Sequence, residues 1–468
     1  MILPELILKF IMTPSLSFEA ETLLLPPMIK EFSRTFKIAL PLIISNISQV
    51  GLGLIDSAMI GAVDYRQLAA SSLVLNVIAI PQVLGMGMAI AVSPMTAIAN
   101  GQKDAFKASR VLFNGFFLTT IVAIVIAATL VSTNYFLFHL GQDKDVVTFA
   151  VPFYKLIAWS LIPMLMFASV KQFCDGLEFT RTAMTLSVIS LPLNAFLNWI
   201  FIYGRFGFPR MELTGAGAGT LITRIMIAIT LMIIVFRHKL FAQYIALRKK
   251  AWKVDKKTCK ELLHIGVPTS LQYGLEVAAF SVSGVMIGWL GATSQAAHQI
   301  ALNLATATFV AATGLALGGS IRIANAYGRS EKLLLRNIGI STMSGGLIYG
   351  LICGILFVIF RNSLPALFTN NAEVAAVSSS LLVFAALFQI SDATQSIGVG
   401  LLRGIKDVKV PTVFVAVAYW VIGIPVGYFL SFNLKMGASG IWLGFVTGLT
   451  ASSILLNTRF FHRTKVAI

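Results

Sequence analysis

Long apolar blocks are the feature that most constrains this chain. A transmembrane helix takes about 20 predominantly apolar residues, and twelve stretches meet that length. Only 12% of the residues are charged, whereas soluble domains carry roughly 25% charged residues. The blocks lie near 37–61, 69–98, 112–134, 149–170, 183–203, 216–236, 262–290, 297–320, 337–360, 375–402, 411–432 and 439–458. The sequence therefore predicts an all-α integral membrane protein with twelve transmembrane helices.

Positive charge is distributed unevenly between alternate loops. Of the 36 Lys and Arg residues, 28 lie in the N-terminal part up to and including Lys37, in the even-numbered loops or in the C-terminal tail. Cytoplasmic loops of membrane proteins carry such an excess of Lys and Arg. We therefore expect a multi-pass protein of the cell (inner) membrane with both termini in the cytosol. The net charge of +17 then reflects this topology and contact with anionic membrane lipid, not binding of nucleic acid.

The two halves of the sequence match each other at one constant offset, without a gap. The matched positions are Pro41 with Pro268, Met59-Ile60-Gly61 with Met286-Ile287-Gly288, Leu75-Asn76 with Leu302-Asn303, Ser93 with Ser320, and Gly101 with Gly328. Two copies of six helices have the same orientation, because six is an even number. The repeat thus predicts two six-helix lobes related by a pseudo-two-fold axis along the membrane normal, with a central cleft between them.

The predicted domain limits follow from the apolar blocks and the repeat. They are an N-terminal cytosolic or interfacial segment (1–36), an N-lobe of helices 1–6 (37–236), a basic cytosolic linker (237–261), a C-lobe of helices 7–12 (262–460) and a cytosolic tail (461–468). Translation from Met28 is an alternative start. Two parallel lobes around a cleft are typical of secondary transporters, in which the cleft opens to each side in turn. We expect a monomer.

Three acidic residues of 19 fall well inside the predicted spans, namely Asp56, Glu276 and Asp392. A carboxylate at mid-membrane costs about 2.5–3.5 kcal/mol on insertion scales. One explanation is a buried ion pair with Lys155 or Arg224. The other is a site for a cation or a proton, and it is favoured because one Arg cannot neutralise three acids.

The repeat does not duplicate these carboxylates. At the offset that pairs Pro41 with Pro268, Glu276 aligns with Gln49 and Asp56 aligns with Ser283. A purely structural role would tolerate symmetry more readily. The asymmetry therefore indicates that the two halves have different roles in the function of the protein.

Two asparagines in the fifth predicted span, Asn194 and Asn198, are four residues apart, so they lie on one helix face. They can form an interhelical hydrogen bond, which is common in membranes, or a polar pocket with Asp56. Carboxylate and amide oxygens are suitable ligands for a hard cation such as Na⁺. The same carboxylate can instead bind a proton.

Motifs of enzymes and of ATP-driven motors are not found. The sequence contains no HExxH, Walker or Rossmann pattern, and its three cysteines have neither paired nor metal-type spacing. We therefore expect no enzymatic activity and no cofactor.

Several stretches resemble the multidrug and toxic compound extrusion (MATE) family, in its NorM-like branch. They are PLIISNISQVGLGLIDSAMIG in the first span, CDGL at 174–177, LPLNAFLNWIFIYGRFGFP in the fifth, GVPTSLQYGLEV in the seventh, AAHQIALN at 296–303 and FQISDATQSIGVGLLRGIKD in the tenth. The resemblance covers residues 37–460 in order. It implies a secondary active exporter of small cationic or amphiphilic drugs and dyes, which works by antiport with Na⁺ or H⁺ and by alternating access.

The resemblance also implies where the coupling ion binds. Possible Na⁺ sites are Asp56 with Asn194 and Asn198, and Glu276 with Asp392. NorM-like proteins often carry Tyr one helical turn before the tenth-span Asp, and this chain has Phe388 there, so a phenolic oxygen is missing. We expect the substrate cleft to include Phe388, Gln49 and Gln272.

The alternative function is that of a flippase or exporter of lipid-linked saccharides, which related folds carry out. Anionic substrates of that kind favour basic residues in the cleft. The charge inside the predicted spans leans acidic, which favours export of cations.

Overall fold

The computed structural model describes residues 27–465. Residues 1–26 of the predicted N-terminal segment and residues 466–468 of the predicted tail lie outside the described residues. Within 27–465, twelve helices are long and apolar enough to cross a membrane. The first six are α1 (Pro27–Gly61), α2 (Tyr65–Gly101), α3 (Ala105–Ser132), α4 (Lys144–Gly176), α5 (Thr180–Tyr203) and α6 (Glu212–Arg237). The second six are α7 (Lys256–Gly288), α8 (Ala292–Gly328), α9 (Lys332–Ile359), α10 (Ala372–Gly404), α11 (Lys409–Asn433) and α12 (Ala438–Arg463).

The twelve predicted spans are confirmed, but several helices continue well beyond their apolar blocks. Helix α1 begins at Pro27 rather than near residue 37, and α8 ends at Gly328 rather than near residue 320. These extensions are held by a buried ion pair between Arg322 of α8 and Glu31 of α1. The Arg322 guanidinium also donates to the Glu31 carbonyl oxygen at 2.6 Å. Charged residues that pair in this way extend a helix without adding to its hydrophobicity.

The chain divides into two compact units whose boundaries fall inside helices. The first unit contains Ile44–Ser270, and the described part of the second contains residues 27–43 and 271–465. The boundaries therefore lie within α1 and within α7. They fall at Ile44 and at Leu271, which are equivalent positions of the sequence repeat. The lobe limits predicted from the loops, 37–236 and 262–460, stay predictions.

Small residues let α11 and α12 of the second unit approach closely. A Cβ atom on Gly444 would lie 2.6 Å from the Gly427 Cα atom, and one on Gly448 would lie 2.5 Å from the Ala418 carbonyl oxygen. Close approach through small residues is a principal source of helix association in membranes, because lipid is as apolar as Leu. Helix α11 is also irregular, with π-helical turns at Val417–Gly423 and Phe429–Asn433.

The linker after α6 belongs to the first unit and packs against its helices α3 and α6. It forms short helical segments at Lys239–Phe241, Ala242–Ala246 and Arg248–Ala251. Its Trp252 side chain stacks on Phe113 of α3 with ring centroids 5.7 Å apart and meets Phe236 of α6 edge-on at 5.5 Å. The Trp252 indole nitrogen donates to the Ser109 hydroxyl at 3.2 Å. The linker is therefore attached to α3 and α6 at its C-terminal end.

A carboxylate fixes the point where the linker enters α7. Asp255 accepts hydrogen bonds from the backbone nitrogen and the hydroxyl of Thr258, at 2.8 and 2.6 Å, and forms an ion pair with Arg110 at 2.5 Å. These interactions, the hydrogen bonds from Thr258 foremost, lower the pKa of Asp255 below its usual value. Asp255 thus stabilises the start of α7 and joins it to α3.

Replacing the anchor tryptophan should release the linker. Trp252→Ala removes two aromatic pairs, each worth about 0.5–1.5 kcal/mol, so the basic run at 248–250 should open more often. We expect trypsin to cleave the purified protein in this segment about tenfold faster, because cleavage tracks the population of the open form.

Val254→Ala is the matched control, since Val254 is 57% exposed in the same linker. Equal cleavage rates for the Trp252 variant and the unmodified protein would contradict the docked arrangement.

Candidate functional site

Asp56 of α1 lies at the centre of a polar cluster in the first unit. Its Oδ1 atom accepts a hydrogen bond from Asn198 Nδ2 of α5 at 2.6 Å, and its Oδ2 atom accepts one from the Thr220 hydroxyl of α6 at 3.0 Å. Asn194 Nδ2 lies 3.5 Å from the Thr220 hydroxyl, and Asn198 Nδ2 lies 3.4 Å from Asn194 Oδ1. The structure therefore brings Asp56, Asn194 and Asn198 together, while their role in ion coupling stays a prediction.

Helix α6 supplies a hydrogen-bond donor to Asp56 that the sequence did not single out. Thr220 bonds the Asp56 carboxylate directly, but a lone Thr in an apolar helix carries no distinctive signal. The one signal in this part of the sequence is Arg224, a charged residue inside the sixth span, which lies one turn after Thr220 on α6. Its guanidinium donates to the Ser160 hydroxyl at 2.6 Å, and Lys155 of α4 is exposed.

The Asn198 carboxamide fits beside α6 only because residue 219 is glycine. A Cβ atom at Gly219 would collide with Asn198 Oδ1. That oxygen is buried and has no hydrogen-bond partner among the described residues. Buried acceptors in native proteins nearly always have a partner. Asn198 Oδ1 is therefore an unpaired buried acceptor in the side chain that donates to the Asp56 carboxylate.

Glu276 of α7 lies in a second polar cluster, in the second unit. Its Oε1 atom accepts a hydrogen bond from Gln272 Nε2 at 3.0 Å and lies 3.5 Å from Gln395 Nε2 of α10. Both glutamines are buried. Gln395 Oε1 is buried without a partner in the part of the chain that the structure describes. This cluster thus also combines a carboxylate with a buried amide oxygen that has no hydrogen-bond partner among the described residues.

A recess within the second unit is lined by both Glu276 and a buried guanidinium, that of Arg403. Gln272, Glu276, Gln395 and Arg403 of α10 all line it, and the empty space within it, including the part open to solvent, is about 340 Å³. The Arg403 guanidinium lies over the Tyr273 ring at 5.7 Å. The recess therefore contains one negative and one positive side chain. By sequence, Arg403 counts among the cytosolic positive charges, because it lies beyond the tenth apolar block.

Asp392 of α10 is 4% exposed, and Phe388, one helical turn before it, is 3% exposed. The Phe388 ring packs against Phe280 of α7 at 6.2 Å and against Trp442 of α12 at 5.7 Å. Phe388 is therefore part of an aromatic cluster in the second unit.

The two glutamines assigned to the substrate cleft have different surroundings. Gln272 donates to Glu276, while Gln49 of α1 is exposed. That Phe388, Gln49 and Gln272 line a substrate cleft stays a prediction.

Within residues 27–465, no three His, Cys, Asp or Glu side chains come together as a metal-binding group. Amide and hydroxyl oxygens would have to complete the ligand set of a cation in either cluster. Such oxygens are present beside Asp56 and beside Glu276.

Comparison with known proteins identifies the family of this chain. The MatE family model matches residues 41–200 and 268–429. The chain belongs to the MatE family. The two matched segments begin at Pro41 and Pro268, which are themselves a matched pair of the sequence repeat. Membership confirms the resemblance seen in the sequence and makes this MatE protein a multi-pass membrane transporter and not an enzyme.

Relatives and solved structures agree with this assignment. The multidrug resistance protein NorM of Vibrio cholerae is 32% identical over 445 residues, which cover 93% of this chain and 96% of that protein. The multidrug resistance protein MdtK of Proteus mirabilis is 32% identical over 440 residues, covering 92% and 96%. The crystal structure of the eukaryotic MATE transporter AtDTX14 has a TM-score of 0.83 at 20% identity, covering 94% of this chain and 100% of that one. That structural match confirms the predicted fold class.

A methyl group at residue 219 should disturb the Asp56 cluster. Gly219→Ala should push the Asn198 carboxamide away from α6 and destabilise the protein by about 1–3 kcal/mol, as overpacking usually does. Thermal unfolding of the purified protein in detergent would measure the loss.

Gly53→Ala is the matched control, because a Cβ atom on Gly53, one turn before Asp56, would have no neighbour within 4 Å. In Gly219→Ala/Asn198→Ala the clash is absent, so the two effects should not add. Additive effects would show that Gly219 does not act through Asn198.

Proposed function

We propose that this MatE protein exports small cationic or amphiphilic drugs and dyes by antiport with Na⁺ or H⁺. The observation that carries the proposal is the pairing of membrane-embedded carboxylates with free amide oxygens. Asp56 lies beside Asn198 Oδ1, and Glu276 lies beside Gln395 Oε1. The printed names of NorM and MdtK as multidrug resistance proteins support the substrate class.

Competition for the carboxylates would couple the ion to the drug. A cationic drug entering from the cytosol neutralises the charge of Glu276, Asp392 or Asp56, and so does an incoming Na⁺ or proton. Binding of one displaces the other if each prefers a different conformation, since a ligand shifts an equilibrium only by its differential affinity. Alternating access to the two sides of the membrane then converts inward ion flow into outward drug flow.

The membrane potential limits the stoichiometry. A monovalent ion that enters across about 100 mV gains roughly 2.3 kcal/mol, and a singly charged drug that leaves loses the same amount. One-for-one exchange therefore runs on the ion's concentration gradient alone. A larger drug gradient requires more than one ion per drug.

The protein would act as a monomer in the cell (inner) membrane, surrounded by lipid, with both termini in the cytosol and without a cofactor. The distribution of Lys and Arg supports this orientation. The recess beside Glu276 contains one carboxylate and one guanidinium, Arg403, and so lacks the basic excess that suits anionic lipid-linked saccharides.

Proteoliposomes test the proposal directly. The purified protein is reconstituted with a fluorescent cationic dye, and a Na⁺ gradient or a pH gradient is imposed alone. Dye movement against its own gradient under either condition supports antiport. Dye movement that follows neither gradient contradicts it.

Neutralising the second-unit carboxylates should abolish export. In Glu276→Gln and Asp392→Asn the drug cation and the coupling ion lose the charge for which they compete. Cells expressing either variant should lose resistance to cationic dyes while protein levels in the membrane stay unchanged.

Glu373→Gln removes an exposed carboxylate at the start of α10 and should leave resistance intact. Full dye efflux in both Glu276→Gln and Asp392→Asn would remove these residues from the coupling site.

Replacing both asparagines of the first cluster should weaken ion dependence. Asn194→Leu/Asn198→Leu removes the amide oxygens beside Asp56 but keeps the carboxylate. We expect efflux to need an ion concentration at least about tenfold higher, because each lost interaction with a charged group is worth about 1.5–3 kcal/mol.

The melting temperature of the double variant controls for misfolding. If a folded double variant shows unchanged ion dependence, the two asparagines have only a packing role.

A further inference from the structure

The last turn of α10 carries a buried positive charge, the guanidinium of Arg403. This residue is 3% exposed, and its Nε atom is buried without a hydrogen-bond partner among the described residues. The guanidinium lies over the Tyr273 ring at 5.7 Å. A ring face replaces only part of the hydration that a guanidinium loses on burial, so such a charge is expected to have an anionic partner.

The equivalent helix end in the first unit provides a comparison. Helices α4 and α10 end at Gly176 and Gly404. A Cβ atom on Gly176 would lie 2.5 Å from the Ser93 carbonyl oxygen, and one on Gly404 would lie 2.8 Å from the Ser320 carbonyl oxygen. These two serines are a matched pair of the sequence repeat. The ends of α4 and α10 are therefore equivalent in the two units.

The residue before each glycine is charged, and the two charges differ in what lies one turn before them. Asp175 of α4 forms a buried ion pair at 3.0 Å with Lys171, one turn earlier. The position one turn before Arg403 is Val399, which cannot pair with a charge. The Arg403 side chain instead lines the same recess as Glu276. The first unit thus neutralises this buried charge from its own helix, whereas the second unit directs it towards a space that a ligand can enter.

The recess combines this charge with apolar walls. Gln395, whose Nε2 atom lies 3.5 Å from Glu276 Oε1, is eight residues before Arg403, or about 12 Å along α10 at 1.5 Å per residue. The negative and the positive side chain therefore lie at different levels of the recess. Phe309 and Leu317 of α8 line it as well. This arrangement suits an elongated amphiphile with opposite charges at its two ends.

We propose that Arg403 binds the anionic group of zwitterionic substrates, namely aromatic amphiphiles that carry a cationic group and a carboxylate. A carboxylate matches the paired N–H donors of a guanidinium, and it would supply the partner that the Arg403 Nε atom lacks. The cationic group is the part of the drug already proposed to bind at Glu276. This inference rests on the proposed drug export and specifies a substrate class for the second-unit recess.

Two dyes that differ only in one carboxylate test the assignment. Tetramethylrhodamine has a cationic ring system and a free carboxylate, and its methyl ester keeps the cation but masks the carboxylate. Fluorescence anisotropy measures the Kd of each dye for the purified full chain in detergent. We expect Arg403→Gln to raise the Kd of the free acid at least about tenfold, as loss of one hydrogen bond to a charged group does. The Kd of the ester should not change.

Three further variants separate recognition of the carboxylate from other effects. Glu276→Gln should weaken binding of both dyes by a similar factor, because both carry the same cation. Arg403→Lys keeps the positive charge but loses the planar pair of donors, so the Kd of the free acid should lie between those of Arg403→Gln and the unmodified protein. Arg329→Gln removes an exposed positive charge just after α8 and should change neither Kd.

An equal loss of affinity for both dyes in folded Arg403→Gln would show a packing role and overturn the proposal. Unchanged binding of the free acid would overturn it as well. If Arg403→Gln does not fold, Arg403→Lys decides in the same way, since only a carboxylate site makes its effect specific to the free acid.

Failure of the antiport proposal would look different. Both dyes would then bind as described, but neither would move against its gradient in proteoliposomes under an imposed Na⁺ or pH gradient. That result would contradict antiport and leave the Arg403 site in place.

Discussion

The cost of placing a carboxylate where water is scarce governs the organisation of this protein. A buried charge is tolerated only when it is paired or hydrogen-bonded, and in the bilayer core the chain itself must supply the partners. Around Asp56 these partners come from α5 and α6, and around Glu276 they come from α7 and α10. Each carboxylate therefore requires that particular helices meet at a particular turn.

The two units satisfy this requirement in different ways, although the chain repeats itself. Asp56 receives one donor on each carboxylate oxygen, and its cluster contains a single acid. The second cluster combines Glu276 with two buried glutamines, and Arg403 lies in the recess beside it. Duplication thus preserved the helical framework, while the charges within it diverged.

The fold could be predicted almost completely from the sequence, because bilayer thickness converts hydrophobic length directly into helices. The same physics singled out Asp56, Glu276 and Asp392 as candidate site residues, since membrane carboxylates are expensive, and their role in coupling stays a prediction. Helical periodicity correctly placed Asn194 and Asn198 on one face.

Thr220 and Gln395 could not be predicted, because each acts through a contact with another helix. The π-helical turns of α11 leave no periodic signal in its sequence either. The ends of α1 and α8 also extend beyond their apolar blocks, because the ion pair between Glu31 and Arg322 stabilises them without hydrophobicity.

The glycine at position 219 has a consequence for how such a transporter changes over generations. Helix α6 contributes no carboxylate to the Asp56 cluster, yet a single added methyl group at Gly219 would shift the amide that contacts Asp56. Natural variation in the geometry of the Asp56 cluster can therefore arise at an uncharged position of a neighbouring helix, with every acid and amide left in place. Sequence surveys that compare only the charged positions of these exporters would not detect such a change.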